Sequence, residues 1–277
     1  MRRPFLSLAA LALCLSLAPR VQSAGLSYVD PAGDDFGPGA YVYPTNAVYT
    51  PGSFDLRKVE VKTRGGNVEI KVTLGAVIED PWNSKDWTPS GNGFSLQMVQ
   101  IYLDTDGKPG SGHTDALPGI NAGFAPEDAW ERVVVISPQG ASRLRSEVAA
   151  KAGSMAKSVV VPTKVKVRGK TLIATVKKKA LGGKPKASWG VQAVVQSNEG
   201  FPDKRDLLSR RVNEYAGDHR FGGGNDWSCD PHVLDILAGG ATGADAEKAS
   251  QKSALAYTCG DDGVSVKRAT LPMIRTP

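Results

Sequence analysis

The chain is predicted to be all-β: an antiparallel β-sandwich with long loops and a short C-terminal helix. Three observations carry this. At least eight short segments alternate apolar and polar residues or run apolar for a few positions. Loops containing Gly and Pro separate them at short intervals. Helical periodicity is scarce. No internal repeat and no dividing linker interrupts residues 25–277, which are read as one domain.

Residues 56–62 (LRKVEVK) alternate, Gly65-Gly66-Asn67 turns the chain, and residues 68–74 (VEIKVTL) alternate again, which is a hairpin signature. Residues 98–103 form the next strand, ending at Asp104, and residues 132–136 follow, closed by Ser137-Pro138. Residues 159–161 and 164–167 lead to the turn Arg168-Gly169-Lys170, and residues 171–176 are expected to pair with them. Residues 189–196 make a further strand. The clearest helical segment is 244–257, with an apolar stripe at Ala249, Ala254 and Leu255 and Gly260 as a stop. The basic run Lys177-Lys178-Lys179, with Gly182-Gly183 behind it, reads as a strand passing into a loop.

Residues 1–24 read as a signal peptide. Arg2 and Arg3 precede a Leu- and Ala-rich run over 6–17, and small residues at Ser23 and Ala24 offer a cleavage point. The run is too short for a membrane span, and none is expected elsewhere. A lipoprotein cut at Cys14 is the alternative, disfavoured because Leu13 stands where a small residue is needed. The expected location is secreted, periplasmic or at the cell surface.

The full chain has 34 Lys and Arg against 28 Asp and Glu. The leader holds Arg2, Arg3 and Arg20 and no acid, so cleavage leaves 31 against 28, a net +3. The basic pI is therefore weak evidence for a nucleic-acid partner, and none is expected. Residues 148–190 hold eleven Lys or Arg and no acid, but aromatic residues for base stacking are nearly absent there. Lysines alternating with Val along a strand read as a solvated face or a guarded sheet edge, with a contact to a polyanion such as an acidic surface polymer as the alternative.

Cleavage would also remove Cys14 and leave Cys229 and Cys259. Such a pair in an oxidising compartment most simply forms a disulfide, stabilising by roughly 3 kcal/mol. The rival is a metal site with His232, but nothing near Cys259 completes a ligand set.

Two acidic segments are candidate calcium sites. Asp30, Asp34 and Asp35 lie in a turn-rich stretch with no basic neighbour, and exported proteins meet calcium at high concentration. The same residues could equally build turns. Asp104 and Asp106, with Asp115 at the twelfth position, form a weaker candidate; Lys108 and Pro109 break the EF-hand pattern, and a plain Asp-Gly turn is the alternative.

Trp82 and Trp87 share a loop bounded by Pro81 and Pro89, with Asn83 and Asp86 as hydrogen-bonding neighbours. Flat rings beside polar side chains suit a sugar face. The alternative is a Trp capping the sandwich core. Trp130, Trp189 and Trp227 adjoin strands or the Cys229 region and read as packing. No catalytic set stands out, and the residues around Ser95 lack the second Gly of a nucleophile elbow.

Several ordered segments resemble the C-terminal module of glucodextranases and related amylopullulanases, within the wider DOMON-like sandwich group. They are Asp30-Pro31-x-Gly33-Asp34-Asp35-x-Gly37-Pro38-Gly39-x-Tyr41-x-Tyr43-Pro44, Phe54-Asp55-Leu56, Gly93-Phe94-Ser95-Leu96-Gln97 before Ile101-Tyr102-Leu103-Asp104, Leu117-Pro118-Gly119-x-Asn121, Arg220-Phe221-Gly222-Gly223-Gly224 and Val233-Leu234-Asp235. The resemblance implies a β-sandwich that binds a polysaccharide or cell-surface glycan and does not hydrolyse it, since catalysis in those enzymes resides in other domains. The competing expectations are a glycoside hydrolase acting on α-glucans through an unrecognised carboxylate pair and, last, a haem-binding DOMON-like redox domain. The latter needs axial His and Met, and Met98 has no His near it in sequence.

Overall fold

The structure is a computed structural model describing residues 25–226, 229–239 and 243–276. The signal peptide expected over residues 1–24 and the packing expected for Trp227 lie outside the described residues. The strands in chain order are β1 (Leu26–Val29), β2 (Leu56–Arg64), β3 (Asn67–Leu74), β4 (Gln97–Asp104), β5 (Ala122–Phe124), β6 (Arg132–Ile136), β7 (Val159–Val160), β8 (Lys164–Arg168), β9 (Thr171–Lys177), β10 (Gly190–Ser197), β11 (Asp235–Ile236), β12 (Thr258–Cys259), β13 (Ser265–Lys267) and β14 (Ala269–Leu271). Helix α1 (Ala141–Lys151) follows β6, and helix α2 (Ala244–Ala254) follows β11. Among the described residues, no helix is long and apolar enough to cross a membrane.

Two five-stranded sheets form the sandwich, in the orders β1-β2-β3-β9-β8 and β11-β10-β4-β6-β7. In the first sheet, β2 and β3 alternate buried and half-buried residues, so one face packs inward and the other meets solvent. Val59, Val61, Val68, Ile70 and Val72 on that inner face meet Val99, Ile101, Val134 and Val195 of the second sheet. The second sheet is covered on both faces. Met98, Tyr102, Val133, Val135 and Val194 point the other way, into a second core with Trp130, Leu144, Val148 and Leu255. This is why β4 and β10 are buried at every position. Trp130 and Trp189 are both core residues, as expected.

The structure changes three expectations. Residues 159–161 do not pair with β9: β7 runs parallel to β6 in the second sheet, and the chain then crosses to the first, where β8 pairs with β9. A right-sized crossover is needed for that parallel step, and α1 supplies it. α1 itself was not expected. Only Leu144 and Val148 of α1 are buried, and Glu147 bridges Arg143 at 2.7 Å and Lys151 at 2.8 Å on its outer side. α2 forms where expected, but Ala249 faces solvent, and Glu247 and Gln251 are the buried positions. That inward stripe is polar because α2 docks by hydrogen bonds: Glu247 accepts from the Ala238 N–H at 2.9 Å, and Gln251 accepts from the Ile236 N–H at 3.0 Å and donates to the Asp34 carbonyl.

The Lys-rich β8 is the edge of the first sheet, with Lys164, Lys166 and Arg168 exposed and Val165 and Val167 turned toward the core. Cys229 and Cys259 form a disulfide, with Cα atoms 5.5 Å apart.

His232 is buried, and its Nδ1 accepts the Val212 N–H at 3.2 Å, which requires the neutral ring. Burial, then Arg211 and Arg220, push its pKa down to about 3. Asp230 lies 3.7 Å away, but burial raises its carboxyl to about 7, so it supplies little compensating charge in acid. The unfolded chain takes up a proton at this position below about pH 6.5 while the folded chain does not. The folded state therefore loses stability as pH falls from about 6.5 toward 3, by on the order of 2 kcal/mol at pH 5 from this residue. Urea midpoints across that range are expected to fall less steeply for His232→Asn than for the wild type. Parallel curves would show that His232 is not the group responsible.

Candidate functional site

The loop between β3 and β4 is ordered by Asp80. Its carboxylate accepts the Ser84 N–H and hydroxyl, each at 2.9 Å, and the Ser95 hydroxyl. Ser84 Oγ in turn accepts the Gly93 N–H at 2.9 Å. Residues Ser84–Asp86 make one 3-10 turn, entered through Asn83 at φ 47°. Trp87 then donates its ring N–H to the Trp82 carbonyl at 2.9 Å. With its polar edge satisfied locally, the Trp87 ring is left as a half-buried apolar plate.

Trp82 and Trp87 wall a pocket of about 570 Å³. Its other sides are Thr88 and Pro89 of the same loop, Gln139 and Arg143 after β6, Asn198 to Phe201 after β10, and Arg210 and His219. The register places the start of β4 beside the ends of β6 and β10, so these loops share one end of the second sheet. Phe201 is 93% exposed at the rim.

Arg210 organises the floor. It bonds Glu199 at 3.2 Å, the Tyr49 hydroxyl at 2.7 Å and the His219 carbonyl at 2.6 Å, and its guanidinium lies 5.7 Å from the centre of the Trp82 ring. Trp82 is therefore both wall and core. It packs edge-on against Tyr49 and His219, above the cluster of Tyr43, Phe54 and Phe221. Asn198 donates to the Ser95 carbonyl at 3.4 Å, while its buried Oδ1 accepts from no protein donor. Asn83 and Asp86, expected as hydrogen-bonding neighbours, are exposed and outside the lining. The polar groups facing the rings come instead from distant loops, with no signal in the local sequence.

The N-terminal acids meet partners from the far end of the chain. Asp30, Asp34 and Glu247 bring ligand oxygens within 4.8 Å of one another, and Asp34, Asp55 and Asp235 form a second such group. All five are buried. Burial, reinforced by Glu247 and the neighbouring carboxylates, raises the Asp30 pKa to about 10 and the Asp34 pKa to about 8. This all-oxygen cluster could hold a hard cation. Asp35 is a member of neither group, although its charge acts on Asp235, and it accepts the Tyr43 hydroxyl.

At the other candidate, Asp104 and Asp106 are joined by Glu131. Their oxygens are largely engaged: Asp104 accepts the Gly107 N–H at 2.7 Å and pairs with Arg275 at 2.6 Å, and Asp106 accepts the Lys108 N–H at 2.9 Å. Asp115 pairs with Arg268 at 2.5 Å. This loop has the bonding of an Asp-Gly turn.

A β-sandwich with an aromatic-walled pocket on its end loops has the architecture of a binding domain. A protein-family model described as the C-terminal binding module, SLH-like, of glucodextranase matches residues 26–273, and the chain belongs to this family. No curated protein matches the chain. The segments that carried the resemblance converge in space. Gly37 donates to the Leu234 carbonyl at 2.8 Å, Val42 bridges to Gly222, and the Leu56 N–H donates to Asp235 at 2.6 Å. Gly37 has φ +58°, and a Cβ there would collide with the Tyr41 ring, so this crossing requires glycine.

Proposed function

We propose that residues 25–277 act as one exported, non-catalytic module that binds a polysaccharide or cell-surface glycan through the pocket of Trp82 and Trp87. It would work as a secreted, periplasmic or cell-surface protein. The observation that carries this reading is the pocket itself. Two indole rings line it, and the Gln139 and Arg143 side chains lie among the groups that could meet sugar hydroxyls. Stacking on the rings supplies affinity and the polar groups set orientation.

Glycoside hydrolysis calls for two carboxyl groups flanking the bond, about 5–9.5 Å apart. Among the described residues lining this pocket, the one carboxylate is Glu199, and it is held by Arg210 at 3.2 Å and Arg220 at 3.8 Å. That favours binding over the α-glucan hydrolase reading.

A glycan array with the mature chain identifies ligands, and titration of the best one then tests the site. Trp87→Ala is expected to weaken binding about five- to thirtyfold with the melting temperature within a few degrees of wild type, since one stacked ring contributes on the order of 1–2 kcal/mol. Trp82→Ala loses binding and stability together, because Trp82 also packs on Tyr49. Unchanged affinity in Trp87→Ala places the site elsewhere. Turnover of an α-glucan that one Asp or Glu substitution abolishes overturns the non-catalytic reading.

A further inference from the structure

We propose that Asp30, Asp34 and Glu247, backed by Asp55 and Asp235, form a calcium site that fastens helix α2 and the late strand β11 to the N-terminal loop. The proposal is independent of the sugar pocket.

The first ground is the set of oxygens left over. Glu247 uses Oε1 to accept the Ala238 N–H, and its Oε2 is buried without a partner. Asp30 Oδ2 and both oxygens of Asp34 are likewise buried and unpartnered. Asp30 is 1% exposed, and Asp34 and Glu247 are each 6% exposed. Buried carboxylate oxygens almost always have donors, because desolvating them otherwise costs several kcal/mol each.

The second ground is charge. Asp55 is bonded by the Gly33 N–H at 3.1 Å and approached by Arg57 at 3.5 Å, and Asp235 accepts the N–H groups of Leu56 and Ile236. Among the described residues, no Lys or Arg nitrogen lies within 4.0 Å of Asp30, Asp34 or Glu247. Lys248, whose charge acts on Asp34 from beyond that distance, lines an adjoining cleft of about 290 Å³ together with Asp34 and Gln251. The cleft gives an ion a way in.

The ligand chemistry selects the metal. The cluster offers oxygen alone, with neither His nor Cys in the group, which suits a hard cation. Carboxylates delivered by separate segments can supply the six to eight oxygens at about 2.3–2.6 Å that calcium accepts. Magnesium prefers a tight octahedron and keeps several waters, which suits a buried cluster of carboxylates less well. The competing account is that the carboxyls share protons and hold no ion.

The test uses the full mature chain after chelation. Calorimetric titration is expected to show one calcium per cluster. The melting temperature is expected to rise by roughly 5–10 °C at a hundredfold excess over the dissociation constant. Magnesium at the same concentration should give a small fraction of that shift. Asp34→Asn and Glu247→Gln should each weaken calcium at least tenfold, yet melt in chelator no lower than wild type, since an amide relieves carboxylate repulsion. Equal melting temperatures in calcium and chelator would leave the proton-sharing account standing and sink the proposal. So would equal stabilisation by magnesium, or wild-type calcium affinity in both variants, which would put the ion elsewhere. If the variants do not fold, the wild-type titrations still decide.

Discussion

Replacing Phe221 with Ala is expected to destabilise the protein by about 3–5 kcal/mol, the usual cost of removing a buried phenyl ring. Phe221 is 1% exposed and lies 4.8 Å from Tyr43, 5.1 Å from Phe54 and 6.3 Å from Tyr49 between ring centres. For a chain of this size the melting temperature should drop by roughly 6–20 °C. Affinity should fall as well, because Tyr49 holds Arg210 under the pocket through its hydroxyl. Burial raises the Tyr49 pKa to about 12, so that hydroxyl stays protonated across the working range. Thermal and denaturant melts of the variant check the first part, and glycan titration below its transition checks the second. A loss under about 1 kcal/mol would mean that the cluster closes around the gap. Trp87→Ala is the complementary case, expected to weaken binding and keep the fold.

Opening the Cys229–Cys259 bridge is the second large effect. The cross-link closes a loop of 30 residues, and its loss is expected to cost roughly 3–4 kcal/mol, mainly through the unfolded chain. Cys229 is buried beside Asp230 and Pro231, whose carbonyls accept Asn121 Nδ2 at 2.9 Å and the Tyr41 hydroxyl at 2.6 Å. Cys259 sits in β12, paired with β13. Those folded-state contacts survive reduction, so glycan affinity should change little. Urea midpoints of the oxidised wild type and the double Ser variant measure the difference. Coincident midpoints would show that the bridge contributes nothing.

The strands were legible because alternation is a local signal, and β2, β3, β6 and β9 fall within two residues of their expected bounds. Partner choice was not local. Val159 and Val160 look like any strand, and only the parallel step beside β6 assigns them to the second sheet. α1 buries two side chains, too few for a periodic stripe, and the inward face of α2 is polar. The site divides the same way. Trp82 and Trp87 announce themselves in a Pro-bounded loop. Gln139 and Asn198 reach the pocket only through the register of β4, β6 and β10, and Arg210 only through the bridge of Ser209 to Asn198. Asp30 and Asp34 were visible as a local run of acids. Glu247 was not, since an acid in a helical stretch reads as surface until the helix docks.

The pairing of β3 with β9 has a kinetic side. Thr73 faces Thr171, 98 positions later, so the middle strand of the first sheet waits for a partner from the second half of the chain. Closing so long a loop costs entropy before any ladder bond repays it, which puts folding on the slow, millisecond-to-second side for β proteins. Until β9 arrives, the hairpin of β2 and β3 presents one unpaired edge and an uncovered row of Val and Ile. During synthesis or refolding that half-built sheet is the species most open to strand addition by another chain, and it is where an aggregation-blocking chaperone would have most to do.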